Sequence, residues 1–368
     1  MDERRADNQP AASAARRVVP HNRLTHGGEE AEAARAAIAS GQWAMGPAVR
    51  ALEQALAEAS GRAEARCVSS GSSALRLALL ALDVGPGDEV VLPAYACVSL
   101  ANAVLALGAR VVPAEVSPGT WNLDPDAVKA SLSARTRAIV AVHTFGFPAT
   151  ITALRGLGPT VIEDCAHALG PAASGRPYGG RGDVAIASFY ATKLVAGGEG
   201  GAVLCDDSAL AATIEQARDG SDQPASATRL NDKMSDIEAA VIAVQLRRLA
   251  EFVARRAAAA RRYETLLRPV ADALGLVLPD PEADRIWYRY AVEVKPHAES
   301  VVRDMLAHGV AAAQPIYDWL PPDTAAACPV AARAYRHLVS LPLYPSLSVA
   351  EQDAVVAALN AVLRRHTP

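Results

Sequence analysis

The 368-residue sequence lacks paired cysteines, any surplus of positive charge and any long apolar run, and each shortage removes a class of protein. Its five cysteines, Cys67, Cys97, Cys165, Cys205 and Cys328, are scattered, with no CxxC pair and no metal-ligand spacing. That excludes a disulfide framework and a zinc module, and it points to a reducing, cytoplasmic compartment. Lysine and arginine total 36 against 40 aspartates and glutamates, a net charge of −4, so nucleic acid and anionic membranes are not expected partners. No uninterrupted apolar stretch is long enough to span a bilayer. The opening MDERRADNQPAASAARR carries charge but no apolar core, so it is not expected to act as a secretory signal.

What is present is a chain long enough for one large and one smaller domain, 51% hydrophobic and rich in alanine. Residues 1–16 read as a disordered arm, 17–245 as a large domain and 246–368 as a small C-terminal α+β domain. Two helices open the large domain, Gly27–Ser40 and the run after Gly46-Pro47, where proline suits a first turn. Seven β-branched runs follow: Arg66–Val68, Glu89–Leu92, Arg110–Val116, Ala138–Val142, Thr160–Ile162, Val184–Phe189 and Ala202–Cys205. Helical patterns at Ser73–Leu82, Val98–Leu107, Pro125–Leu132 and Ile151–Leu157 separate the earlier ones. That alternation predicts an α/β fold with a mostly parallel sheet flanked by helices. The last two strands meet through a glycine-rich turn, where an antiparallel piece is expected. One amphipathic helix over Ser235–Leu267 is predicted to lead into the small domain, which carries a strand at Tyr290–Val294, helices at Ala298–His308 and Ala350–Leu363, and the loop SLPLYPSLS.

Four local features carry chemistry. Ser69-Ser70-Gly71-Ser72-Ser73 lies between a strand and a helix, where free N–H groups and a positive dipole end attract an anion. Taken alone, such a segment is more often a serine-capped helix. Asp164 ends a buried strand, at the edge where parallel sheets open onto ligands. There a carboxylate can pair with a protonated pyridine nitrogen; a capping role is the plainer reading. Glu163 should face the other side. Lys193 ends the run Ser188-Phe189-Tyr190-Ala191-Thr192 and meets Gly197, Gly198, Gly200 and Gly201. A surface lysine is the default, but burial would make this amine nucleophilic toward an aldehyde. Ser235 and Glu238 form a capping box, which leaves Asn231 upstream without an evident structural duty.

In order, SGSSAL (70–75), PGDEVVLPAYACVSL (86–100), VHTFGFPAT (142–150), IEDCAHALG (162–170), GDVAIASFYATKLVAGGEGG (182–201), NDKMSDIEAA (231–240) and SLPLYP (340–345) resemble the motifs of the DegT/StrS sugar aminotransferases. These are fold-type I enzymes dependent on pyridoxal 5′-phosphate. The resemblance implies that Lys193 holds the cofactor as a Schiff base and shuttles protons, and that Asp164 binds the pyridine nitrogen. It also implies that Gly71, Ser72, Ser73 and Ser188 cradle the phosphate, with Asn231 reaching it from the neighbouring subunit of a homodimer. Three positions depart from the family pattern. Cys97 stands where an aromatic usually stacks on the ring, His167 where glutamine is usual, and Lys233 where arginine is usual. Tyr317 and Trp319 fall in a loop that approaches the substrate in relatives; ordinary packing is their competing role.

The expected reaction moves an amino group, from glutamate by resemblance, to a ketone on a sugar nucleotide or cyclitol in antibiotic or polysaccharide biosynthesis. The atypical Cys97 and His167 leave open another reaction of the same cofactor, a decarboxylation, lyase or cyclisation step. A cofactor-binding regulator without turnover is the third alternative. Pyridoxamine-dependent dehydratases resemble the family with histidine in place of the lysine, and Lys193 argues against them.

Overall fold

The computed structural model describes residues 18–172, 175–219, 230–281 and 285–366; the arm read at 1–16 lies outside the described residues. Seven strands form one sheet: β1 (Glu64–Val68), β2 (Glu89–Pro93), β3 (Arg110–Ala114), β4 (Thr136–Val142), β5 (Thr160–Asp164), β6 (Val184–Ser188) and β7 (Gly201–Cys205). Their spatial order is β1-β7-β6-β5-β4-β2-β3. Every pairing from β3 through β6 is parallel, and β7 runs antiparallel to both β6 and β1. The expected mixed sheet is therefore present, with its reversal where the glycine-rich turn lies.

The strands are valine-, isoleucine- and alanine-rich because both faces of the sheet are covered. Along β6, Val184 and Ile186 face the helices Gly71–Ala81, Val98–Leu105 and Ser208–Arg218, while Ala185 and Ala187 face Pro47–Ser60 and Asp236–Arg247. The side-chain period of two thus divides one strand between two cores. A third core surrounds the antiparallel pair β8 (Tyr290–Glu293) and β9 (Leu338–Leu341), packed by helices Leu249–Leu267, Ala298–Ala307 and Val349–His366. The first residues of the SLPLYPSLS loop belong to β9. No described helix is long and apolar enough to cross a membrane.

The single helix expected over Ser235–Leu267 is two helices, Asp236–Arg247 and Leu249–Leu267. Arg248 sits between them at φ −91° and ψ 0°, and its guanidinium reaches Glu30 and Glu251. Hydrophobic spacing passes through this kink unchanged, because only the backbone of one residue leaves the helix. The sequence pattern also gave no warning of helices Ser208–Arg218, Pro322–Ala327 and Pro329–His337. The first had a readable start signal in Asp207, whose carboxylate accepts from the Ala209 and Leu210 amides.

After β4 the chain makes a tight turn in which Phe145 (φ 53°) and Gly146 (φ 88°) are both left-handed. Gly146 is pressed against the chain before β8, where the Ile286 amide donates to the Gly146 carbonyl at 3.1 Å. A Cβ at 146 would lie 1.7 Å from the Ile286 carbonyl oxygen. Gly146→Ala is therefore expected to cost about 3 kcal/mol or more in denaturant unfolding. Gly119→Ala, at φ 81° but with open space around it, should cost only about 1 kcal/mol.

Candidate active site

The carboxyl ends of β4, β5 and β6 open into a cavity of about 240 Å³. Asp164 closes β5 and Ser188 closes β6, so both side chains reach its rim from adjacent parallel strands. The first turn of the helix Gly71–Ala81 enters from a third side. Its N-cap Ser70 accepts from the Ser73 amide at 3.1 Å, leaving Ser72 exposed toward the cavity. Gly71 is needed here because a Cβ would lie 2.7 Å from the Ser188 Cβ and would close the gap between the two serines. Lys193 follows β6 by five residues and is half-buried rather than fully buried, with Nζ in the cavity.

Glu163 and Asp164 are consecutive carboxylates with opposite fates. Glu163 faces away from the cavity, where His143 Nε2 and the amides of Gly179, Arg181 and Gly182 saturate it at 2.8–2.9 Å. Burial pushes its pKa up, but the hydrogen bond and charge of His143 and the glycine amides bring it to about 2. Asp164 receives only the Ala166 amide, at 2.8 Å, and forms no ion pair among the described residues. Burial holds its pKa above the ordinary 3.8, against the Ala166 amide and the charge of Lys193. A buried carboxylate left this way is a receptor for a cation.

His167 leaves the loop after β5 and stacks on Tyr288, with ring centroids 4.3 Å apart, and on Phe145 at 6.1 Å. The Phe145 amide points at Nδ1 from 3.4 Å, so the proton resides on Nε2. Burial, then the charge of Lys193, keeps the imidazole neutral, well below its ordinary range. Tyr95 lies fully buried in the cavity wall, edge-on to Phe145 and Tyr335, and its hydroxyl has no partner. Cys97, an exposed thiol at the start of helix Val98–Leu105, also lies on the cavity wall.

Several residues singled out in the sequence lie elsewhere. The Ser73 hydroxyl turns away from the cavity toward Asp232, at 2.9 Å, because that buried carboxylate also binds Arg76 and anchors the helix. Asn231 is exposed outside the cavity and bridges to Asp219. Lys233 ion-pairs with Asp219 at 3.0 Å. Tyr317 is 75% exposed and does not line the cavity. Trp319 donates to the Ala96 carbonyl at 2.8 Å and so pins its loop, leaving Ile316 to line the wall. Glu199, Tyr190 and Thr144 line the cavity without having been singled out. Glu199 and Tyr190 flank Lys193 in the same turn, and that proximity in sequence was a usable signal.

The cavity thus offers a hydroxyl-lined helix end for an anion, an unpaired buried carboxylate for a cationic nitrogen and an amine for a carbonyl. Pyridoxal phosphate carries all three groups, and the cradle at Gly71, the unpaired Asp164 and the partnerless Tyr95 hydroxyl fit such a ligand.

The model of the DegT/DnrJ/EryC1/StrS aminotransferase family matches residues 25–360. The chain is similar to the erythromycin biosynthesis sensory transduction protein EryC1 of Saccharopolyspora erythraea, 36% identical over 90% of this chain and 94% of that one. It is 34% identical to the UDP-2-acetamido-2-deoxy-3-oxo-D-glucuronate aminotransferase of Pseudomonas aeruginosa, over 87% and 92% of the two chains. The solved aminotransferase TlmJ of Streptoalloteichus hindustanus superposes with a TM-score of 0.86 at 32% identity, covering 95% of this chain and all of that one. The chain therefore belongs to the DegT/DnrJ/EryC1/StrS aminotransferase family, whose cofactor is pyridoxal 5′-phosphate.

Proposed function

We propose that this aminotransferase takes an amino group from glutamate and delivers it to a ketone on a sugar nucleotide or cyclitol, in cytoplasmic biosynthesis of a natural product or polysaccharide. The observation that carries the reading is the convergence of Asp164, Lys193, Ser72 and Ser188 on one cavity. The Pseudomonas relative is named for a 3-oxo sugar nucleotide, which supports an acceptor of that class.

Bound pyridoxal phosphate supplies an electrophilic carbonyl and a ring that withdraws electrons from the substrate carbon. Asp164 would pair with the protonated ring nitrogen. Ser72 and Ser188, with the first turn of Gly71–Ala81, would bind the phosphate. Lys193 would hold the cofactor carbonyl through its amine, and its Nζ would move a proton at the substrate carbon. His167 would offer a neutral Nε2–H donor in the site, and Cys97 would contribute a polarisable contact of smaller area than an aromatic face. Asn231, exposed in one chain, serves the site of a partner chain in a homodimer.

Transfer of label between glutamate and ketoglutarate tests the first half-reaction, and a panel of keto-sugar nucleotides and keto-cyclitols the second. Wild-type protein should exchange label, and Lys193→Ala should lose on the order of 10³-fold or more. A lyase or decarboxylase need show no exchange. A regulator without turnover would bind the cofactor with no spectral response to any donor.

Asp164→Asn separates stability from activity. A carboxyl whose folded pKa is raised stabilises the fold only while protonated, and that contribution is lost as pH rises through the folded value. Cofactor-free Asp164→Asn should therefore melt above the wild type at neutral pH, with the difference vanishing in acid. Its label exchange should fall by roughly 10²-fold or more.

Mixing Lys193→Ala and Asn231→Ala proteins tests the shared site. If Asn231 acts across the interface, random exchange of subunits leaves one intact site in each mixed dimer, restoring about a quarter of wild-type activity. Without sharing, no activity returns.

A further inference from the structure

Beside the cavity lies a group of cations that form no ion pair with a carboxylate among the described residues. Lys193 Nζ stands 5.5 Å from the centre of the Tyr288 ring, the same ring that stacks on His167. Arg289 lies over that ring at 4.8 Å and points Nη2 at the phenol oxygen from 3.4 Å. Its Nη1 meets His21 at 3.2 Å. Arg256, buried in the helix Leu249–Leu267, donates to the Tyr288 carbonyl at 3.1 Å and to the Leu343 carbonyl at 2.8 Å, and its Nε has no partner. None of Lys193, Arg256 and Arg289 forms an ion pair with a carboxylate among the described residues. Asp164 faces Lys193 but does not act on the phenol.

The groups facing the phenol come from each element around it: Arg289 from its own segment, Lys193 and Thr192 from the glycine-rich turn, Arg256 from the helix, and His167 from the loop after β5. His21, from the N-terminal segment, is neutral, its pKa lowered to about 3 by burial and by Arg289 and Arg256. It supplies no negative charge. Arg256 is buried and Lys193 and Arg289 are half-buried, and cations drawn together out of water favour an opposite charge beside them. Tyr288 is the buried group among them that can take one.

We propose that Tyr288 is a positioning residue that acts through Lys193: its phenolate is the counter-charge of the Lys193–Arg289–Arg256 group and thereby governs uptake of the cofactor at Lys193. A phenolate at this distance favours positive charge on Lys193, and a neutral phenol leaves Asp164 as the acid facing it, against Arg289 and Arg256. Burial pushes the phenol upward, but Arg289, Lys193, the Thr192 hydrogen bond and Arg256 bring it down from 10 to about 7. A phenol held at about 7 changes charge near neutral pH, one proton passing to or from solvent with each change.

The inference rests on Lys193 being the amine that takes the cofactor, and three measurements keep the two claims apart. In cofactor-free wild-type protein, one of the nine tyrosines should show phenolate absorbance at about pH 7, because burial pushes Tyr95, Tyr263, Tyr290, Tyr335 and Tyr344 the other way. Arg289→Met should move that titration upward. Absence of any phenolate below about pH 9 overturns the proposal without any variant having to fold. In Tyr288→Phe the ring stack is kept and the charge is lost. A depressed folded pKa adds stability above the unfolded value that is lost as pH falls through the folded one. The stability of wild type over Tyr288→Phe should therefore grow from about pH 7 to pH 10, whereas a purely packing role gives a constant difference.

The pH midpoint for uptake of pyridoxal phosphate by the cofactor-free protein should fall by about one unit in Tyr288→Phe, the size of one charge interaction in a partly buried site. An unchanged midpoint sinks the proposal. Failure of the wild type itself to take up the cofactor sinks the reading of Lys193 instead.

Discussion

The site depends on one carboxylate that the fold buries and then leaves without a cation. Strand β5 ends in two acids, and the side-chain period of two sends them to opposite faces. Glu163 meets an imidazole and three amides and becomes a structural anchor for residues 179–182. Asp164 meets one amide and an open cavity. Desolvating a carboxylate is costly, and a folded chain tolerates it where something else is to bind. The parallel sheet makes this arrangement accessible, because β4, β5 and β6 all end at the same rim and each can contribute a side chain there.

Around that acid the polar groups are graded by how fully they are satisfied. Ser73, Asp232 and Arg76 complete one another and hold the helix Gly71–Ala81 in register, so its next-door neighbour Ser72 stays uncommitted at the helix end. The strained turn at Phe145 and Gly146 sets an aromatic beside His167 and donates an amide to its Nδ1, which decides the tautomer. On the opposite flank, Tyr288 sits where cations from three segments meet. One stack of rings, Phe145–His167–Tyr288, therefore runs from a strained turn to a charge cluster.

The departures from the family pattern look different once placed. Cys97 is an exposed thiol on the cavity wall, and Tyr95 beside it is buried in T-shaped contact with Phe145 and Tyr335. Lys233 is occupied by an ion pair with Asp219. His167 is the departure with a direct chemical consequence, since a neutral imidazole offers one donor at a defined nitrogen.

Much of the fold was legible in the chain itself. β-branched runs separated by helical patterns imply crossover connections, and the glycines around Lys193 marked the place where β7 turns back. The motifs also placed Asp164, Lys193, Ser72 and Ser188 in order, because strand ends and helix starts are local signals. Contacts across the chain were not legible. Nothing near Ser73 in sequence reveals Asp232, which arrives from 159 residues away, and nothing near Arg248 marks the kink. Tyr288 and Arg289 read as strand-edge residues until the glycine-rich turn, the helix Leu249–Leu267 and the N-terminal segment pack around them. Hydrophobic period and turn chemistry are written locally and determined the elements. Which polar groups are satisfied, and which are left to bind, is settled only when distant segments share one interior and water is excluded.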